Sequence, residues 1–138
     1  MGAKVQKEWL YKAKPKRKRK SPEADEQRLF FHLINCFHKD LRPYIWHTPN
    51  GGSRDVREAI NLKKMGVLKG VWDVTVSIPR GGWAGMYIEF KSDTGKLTKE
   101  QKEFEERMSQ HYACFVARNA ETALEVLKGY LGIDDVQL

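Results

Sequence analysis

The sequence VWDVTVSIPRGGWAGMYIEFK, at residues 71–91, has the pattern of a β-hairpin. Both of its arms are rich in apolar residues, and PRGGW between them has the composition of a turn. If the chain folds back at Gly81, Asp73 and Glu89 face each other with Cβ atoms roughly 4.5–5.5 Å apart. Because strand side chains alternate between faces, Lys91 shares a face with Glu89. The sequence therefore predicts two carboxylates and an ammonium group at one place.

The two facing acids have two interpretations. Like charges repel, and a chain that keeps them together commonly holds a hard cation such as Mg²⁺ between them. On a solvated strand surface, the same pair would be ordinary surface charge. The apolar flanks favour the metal site, because acids in a central strand are costly unless they are paired or bound to metal. These flanks are Val71, Val74, Val76 and Ile78 on one arm and Met86, Tyr87, Ile88 and Phe90 on the other.

Size and composition indicate one globular domain. The chain has 138 residues, of which 41% are hydrophobic and 31% are charged. No apolar run reaches the roughly 20 residues of a membrane-spanning helix, and the basic N-terminus lacks the apolar region of a signal peptide. We therefore expect a cytoplasmic protein with reduced cysteines at positions 36 and 114 and no membrane partner.

Positive charge is concentrated at the N-terminus. Residues 1–20 hold nine Lys or Arg and one acid, a net charge of +8, so residues 21–138 carry −1 of the formal total of +7. Blocks of like charge repel and typically form disordered arms that bind nucleic acid in a salt-sensitive way. We expect residues 1–20 to be such a tail, with DNA contacts from Lys16, Arg17, Lys18, Arg19 and Lys20. A solubility tail and a nuclear-import signal are the alternatives.

The remaining body, residues 21–138, alternates helical and strand patterns. Helices are predicted from Ser21 and Pro22 through an apolar stripe ending at Phe37, from a Ser53 cap to Met65, from a Thr98 and Gln101 capping box to about His111, and from an Asn119 cap to Tyr130. Strands are predicted at 44–47, in both hairpin arms and at 113–117. This order predicts an α/β fold with a mixed sheet covered by helices.

Acids stand at the start of the first predicted helix. At about 100° per residue, Glu23 and Glu26 project on the same side as the apolar stripe of Leu29, Phe30, Leu33, Ile34 and Phe37. They could interact favourably with the helix N-terminus. Alternatively, one of them reaches the cluster at Asp73 and Glu89.

Several motifs follow one another along the body: Asn50-Gly51-Gly52 with Arg54, Leu62-Lys63-Lys64-Met65-Gly66, Lys69-Gly70-Val71-Trp72-Asp73, Ile88-Glu89-Phe90-Lys91, Gly95-Lys96 and Gln101. In order and spacing they resemble the VRR-NUC family of the PD-(D/E)XK nuclease superfamily. The resemblance covers residues 21 to about 131. It implies a restriction-endonuclease-like mixed β-sheet flanked by helices, and metal-dependent hydrolysis of DNA phosphodiester bonds.

The resemblance also implies roles for the hairpin residues. Asp73, Glu89 and the backbone carbonyl of Phe90 would ligate Mg²⁺ or Mn²⁺, and Lys91 would position or activate the attacking water. This chemistry is coherent, because a divalent ion lowers the pKa of water and neutralises charge on the phosphate.

Two helices supply further residues that match the family. Glu23 matches the acid of the family's first helix and is a further candidate ligand, with Glu26 as the competing choice. Gln101 would orient water or the scissile phosphate. One departure is visible: Trp72 stands where the family usually has Pro, which leaves the entry angle of the strand open.

Contacts with DNA are also expected outside the hairpin. The loop before the second predicted helix can approach phosphate through its backbone N–H groups, although a simple turn is the alternative. The candidate DNA-binding residues are Asn50, Gly51, Gly52, Arg54, Lys63 and Lys64. The histidines have no metal-ligand spacing and are interpreted as structural or surface residues. Among the tryptophans, which are interpreted as core or interface, Trp83 at the hairpin tip is the one worth testing as a stacking residue.

Small stand-alone members of the family resemble Holliday-junction resolvases that act as homodimers. We therefore expect a bacterial or phage-encoded, structure-selective endonuclease that cuts branched or four-way DNA as a homodimer, because a two-fold dimer matches the symmetry of such a junction. One alternative is a less selective flap or overhang nuclease in phage or mobile-element replication and repair. The other is a DNA-binding module without catalysis.

Overall fold

The computed structural model describes residues 22–50 and 55–133. The tail expected at residues 1–20 lies outside these ranges. So do Gly51, Gly52, Ser53 and Arg54 of the expected DNA-binding loop.

The elements alternate along the chain as the sequence pattern predicts. They are α1 (Pro22–Phe37), a 3₁₀ helix (Lys39–Tyr44), β1 (Ile45–His47), α2 (Val56–Lys64), β2 (Val74–Val76), β3 (Met86–Phe90), α3 (Lys99–Met108), β4 (Ala113–Ala117) and α4 (Ala120–Leu131). The α/β fold class is confirmed. The 3₁₀ helix was not expected, and it takes up Tyr44, which the pattern placed in the first strand. Helix α3 also ends at Met108, before the expected His111.

The four strands form one mixed sheet in the order β1-β2-β3-β4. Strands β1, β2 and β3 pair in antiparallel fashion, whereas β3 and β4 are parallel. Val74 pairs with Ile88 across the hairpin. The same register places Asp73 opposite Glu89, as predicted. The turn itself is not centred on Gly81: Arg80 pairs with Trp83 around Gly81 and Gly82, so the turn is offset by one residue from the strand register.

One sheet face holds the main core. Its strand residues, each at most 1% exposed, are Ile45, Val74, Val76, Ile88 and Phe90. Helices α1 and α4 cover this face, with the rings of Phe30 and Phe90 5.6 Å apart. The opposite face carries Asp73, Tyr87 and Glu89 by strand alternation. Helix α3 covers part of it, because Phe104 packs edge-on against Tyr87 at 4.9 Å.

The apolar stripe of α1 is only partly buried. Phe30 and Ile34 are fully buried, but Leu29 and Phe37 are 42% and 56% exposed. The expected five-residue stripe is thus wider than the face that packs. Two residues four positions apart lie on one line along the helix and suffice for the contact with the sheet.

Side-chain caps fix where three helices begin. The Thr98 and Gln101 capping box and the Asn119 cap are confirmed. The Ser53 cap is wrong: Asp55 accepts from the N–H groups of Arg57 and Glu58, and α2 begins at Val56. Asp caps as well as Ser does, and its charge also interacts favourably with the helix N-terminus.

Candidate functional site

The carboxylates of Asp73 and Glu89 meet at the open end of the hairpin. Glu89 Oε2 accepts the backbone N–H of Asp73 at 2.9 Å. In return, Asp73 Oδ2 accepts the backbone N–H of Phe90 at 2.9 Å. Each acid is therefore oriented by the backbone of the opposite strand, which holds the two carboxyl groups side by side.

This pair is electrostatically unfavourable without a cation. Glu89 is 3% exposed. Burial and the charge of Asp73 raise the pKa of Glu89 to about 8, and burial also raises the pKa of Asp73. Both shifts have the same cause: a negative charge in a poorly solvated place needs compensation, either by a proton or by a positive ion.

Two polar side chains contact the second carboxylate oxygen of Glu89, Oε1. Lys91 Nζ lies 3.5 Å from Oε1, and Gln101 Nε2 donates to the same atom at 2.8 Å. The orientation of Gln101 is fixed, because its Oε1 accepts the backbone N–H of Thr98 in the capping box at 2.9 Å. The structure thus brings four of the predicted residues together.

Trp72, which departs from the pattern of the VRR-NUC family, is part of the framework of the site. It is 1% exposed, its ring lies 6.4 Å from that of Phe104, and its indole N–H donates to the Gln101 carbonyl at 3.0 Å. Trp72 therefore links α3 to the residues that lead into β2, directly before Asp73. The family Pro could not make this bond.

The two candidate acids of α1 have different surroundings. Glu23 Oε1 accepts the backbone N–H of Ser92 at 3.1 Å, directly after Lys91. Glu26 Oε2 accepts the backbone N–H of Ala120 at 2.8 Å, at the start of α4. Glu23 is therefore bonded next to Lys91, whereas Glu26 accepts a hydrogen bond from the N-terminus of α4.

The donor set at the hairpin fits a hard divalent ion. Among residues 22–50 and 55–133, no three Asp, Glu, His or Cys side chains converge to hold a metal by themselves. Mg²⁺ does not require such a cage: it is usually held by one or two carboxylates, with waters and substrate phosphates completing its shell. The two facing oxygen ligands of Asp73 and Glu89 match this pattern.

Two residues near the site were missed by the sequence analysis. His47, interpreted as structural or surface, places Nδ1 2.7 Å from the carbonyl oxygen of Asp73. Because a carbonyl only accepts, His47 donates from Nδ1. Arg118 donates to the carbonyl oxygens of Ser92 and Gly95 and holds the loop after Lys91. Only the pairing of distant strands reveals these contacts.

The described candidates for DNA binding are of two kinds. Lys63 and Lys64 are exposed on α2. Asn50 instead donates to the carbonyls of Leu68 and Val71 at 3.1 and 3.2 Å, which closes the segment that contains α2. Its side-chain N–H groups therefore brace the backbone.

No helix in the described part of the chain is both long and apolar enough to cross a membrane.

The sequence matches no protein-family model and no curated protein. A solved structure of a VRR_NUC domain protein matches this fold with a TM-score of 0.70 and 27% sequence identity, over 85% of this chain and 93% of that one.

Proposed function

Since the chain belongs to the VRR-NUC family, we propose that it is a metal-dependent, structure-selective DNA endonuclease that resolves four-way junctions as a homodimer. The observation that supports this most strongly is the Asp73 and Glu89 pair. A buried and a half-buried carboxylate with mutually fixed orientations have the chemistry of a divalent-ion site, and Lys91 stands beside them.

In this proposal Asp73, Glu89 and the backbone carbonyl of Phe90 hold Mg²⁺ or Mn²⁺, and Glu23 is a further ligand. The ion supplies an acidified water and neutralises charge on the phosphate. The protein contributes the fixed orientation of the acids, because each carboxylate is already bonded to the opposite strand. Little reorganisation is then needed when the substrate arrives.

Lys91 and Gln101 act on the reacting groups. The Lys91 ammonium is 11% exposed and 3.5 Å from Glu89, so it can donate to a phosphate oxygen or to the attacking water close to the ligands. Gln101 has its amide oxygen engaged by Thr98, and its Nε2 is held towards the same carboxylate. This amide orients water or the scissile phosphate.

Contacts with the DNA backbone are proposed to come from basic residues outside the carboxylate pair. Lys63 and Lys64 lie exposed on α2, and Arg54, Gly51, Gly52 and the five basic residues 16–20 are proposed to add phosphate contacts. Asn50 contributes by bracing the loop. Neutralising phosphates in this way gives affinity that falls with rising salt.

Homodimerisation is proposed because one small domain presents a single pair of metal-binding carboxylates. A four-way junction must be cut in two strands related by a two-fold axis, and two copies related by the same symmetry supply two such pairs.

The test is a panel of labelled DNAs (four-way junction, flap, overhang and blunt duplex) incubated with Mg²⁺, Mn²⁺ or chelator at matched salt, with the molar mass measured in parallel. We expect paired nicks in the junction, dependent on metal and lost in Asp73→Asn, Glu89→Ala and Lys91→Ala. Glu106→Ala, which removes an exposed acid from α3, is the control and should cut normally.

Undiminished cutting by the site variants would remove the hydrolase proposal. Faster cutting of flaps or overhangs than of junctions would show that the enzyme is a flap or overhang nuclease and not a junction resolvase. A monomeric mass with DNA bound would exclude the dimer.

A further inference from the structure

An aromatic pair lies on the same sheet face as the carboxylates. Trp46 in β1 pairs with Thr75 in β2, and Thr75 pairs with Tyr87 in β3. Directly opposite residues share a face, as do residues two apart along a strand. Trp46 therefore projects to the side that carries Asp73. Tyr44, the last residue of the 3₁₀ helix, lies two positions before Trp46, and its carbonyl accepts the N–H of Ser77 in β2's continuation.

Both rings are accessible. Trp46 is 43% exposed and Tyr44 is 53% exposed, whereas Ile45 between them is fully buried on the opposite face. Helix α3 covers this side of the sheet at Tyr87, two strands away from Trp46. Neighbouring exposed aromatic rings give an apolar patch to which the flat face of another ring can bind.

The pair is close to the candidate metal ligands. Asp73 is two residues from Thr75 along the strand, about 6.6 Å, and Trp46 is one strand away, about 4.8 Å. The two displacements together give about 8 Å, which is roughly two base steps of a stacked DNA strand. A strand whose phosphate lies at Asp73 therefore passes over Trp46 within two nucleotides.

We propose that Tyr44 and Trp46 form a stacking surface for unpaired bases of the DNA substrate, next to the phosphate that is cut. This inference rests on the proposed nuclease function and adds how a branch point is recognised: nucleotides that are unpaired or unstacked there bind these rings, next to a duplex arm. Aromatic side chains bind bases of any sequence in this way, because every base has a π face.

A second copy of the chain is the other partner that could cover these rings. A copy seated on Trp46 would also cover Asp73, about 8 Å away, and would close the site to substrate. Charge also favours DNA. Asn50 closes the segment that contains α2 by donating to Leu68 and Val71, two residues before Asp73. This segment carries the exposed Lys63 and Lys64, whose positive charge favours a nucleic acid as the partner.

The test measures binding without cleavage. Anisotropy in chelator compares a fork with single-stranded arms and a blunt duplex of equal length, using wild type, Trp46→Ala and Trp46→Phe. We expect Trp46→Ala to bind the fork about tenfold more weakly, the usual loss for one stacked base, with duplex affinity unchanged. Trp46→Phe should keep most of the affinity. Phe37→Ala, which removes a 56% exposed aromatic residue from α1 on the other side of the sheet, is the control and should behave as wild type.

Equal affinity of Trp46→Ala and wild type for the fork would overturn the stacking surface. So would an equal loss on fork and duplex, or a change of molar mass with fork binding intact, which would identify the face as a contact between copies. The nuclease proposal is judged separately by cleavage with metal. Tight fork binding that depends on Trp46, without any cleavage, would remove the nuclease and leave a stacking module.

Discussion

The indole N–H of Trp72 donates to the carbonyl oxygen of Gln101, 3.0 Å away. The side chain of the same Gln101 donates to Glu89 at 2.8 Å. One residue of α3 thus joins the approach to Asp73 with the carboxylate that faces Asp73. Helix α3 is therefore held where the Gln101 amide can reach Glu89, by a side chain that carries no charge.

Trp72→Phe tests this connection. Phe keeps an aromatic ring against Phe104 but cannot donate to Gln101, so we expect the free energy of unfolding to fall by about 1 kcal/mol, the net value of one hydrogen bond. Nuclease activity should fall as well, because Gln101 is less well placed. Urea unfolding and cleavage rates provide the two measurements. Trp83→Phe is the control, and unchanged values for Trp72→Phe in both would contradict the role.

Glu89 makes the stability of the metal-free protein depend on pH. Its pKa rises from 4.5 to about 8 on folding, so the folded state keeps a proton that the unfolded chain releases. The resulting stabilisation is complete below about pH 4.5 and is lost as pH rises to about 8. Glu89→Gln removes this loss. In chelator, its melting temperature should exceed that of wild type by about 5 °C or more at pH 8, with a smaller difference at pH 5.

A difference between the two melting temperatures that stays constant from pH 5 to pH 8 would contradict this assignment. The same titration predicts that Mg²⁺ uptake by wild type, followed by calorimetry, strengthens between pH 6 and pH 8, because the ligands must lose their protons. Glu89→Gln should show no such uptake.

The two acids of α1 should separate in a matched pair of Gln variants. Gln keeps an oxygen that can accept from Ser92 or Ala120 but removes the charge. If Glu23 is a ligand, Glu23→Gln should lower cleavage by at least about tenfold, whereas Glu26→Gln should cut nearly as wild type. Both should remain folded by circular dichroism. Equal activity of the two variants would remove Glu23 from the site.

Arg118 should act through the loop that follows Lys91. Its guanidinium donates to the carbonyls of Ser92 and Gly95, and the N–H of Ser92 is bonded to Glu23. Arg118→Ala should reduce kcat about tenfold with little change in KM, because Lys91 and Glu23 lose their fixed spacing. Arg118→Lys should be intermediate, since an ammonium lacks the planar fork. A raised KM at unchanged kcat would point to DNA contact instead.

Local signals explain which parts of this protein the sequence could predict. The alternating arms limit which residues of the hairpin can share a face, so the facing of Asp73 and Glu89 could be predicted. The turn could not fix it, because Arg80 pairs with Trp83, one residue out of step with the strands. Thr98 and Asn119 were also predicted as caps, because a capping residue acts within three positions along the chain.

Other contacts depend on distant parts of the chain. His47 meets Asp73 across 26 positions, and Glu26 meets Ala120 across 94. Neither local propensity nor strand alternation predicts these two contacts. They depend on how β1 pairs with β2 and how α1 packs on the sheet. The choice of Asp55 over Ser53 could not be predicted for another reason: both residue types cap helices well, so local propensity does not separate them.

The two bonds that Asn50 makes to Leu68 and Val71 join the ends of a long excursion of the chain. The hairpin with Asp73 and Glu89 lies outside the segment between Asn50 and Val71, so α2 belongs to an insertion that is closed by the Asn50 side chain. Loops of other lengths or charge could be exchanged there without disturbing the Asp73 and Glu89 pair, provided that the Asn and its two carbonyls are kept. In the proposed nuclease, selection for substrate and selection for chemistry would then act on separate parts of the chain.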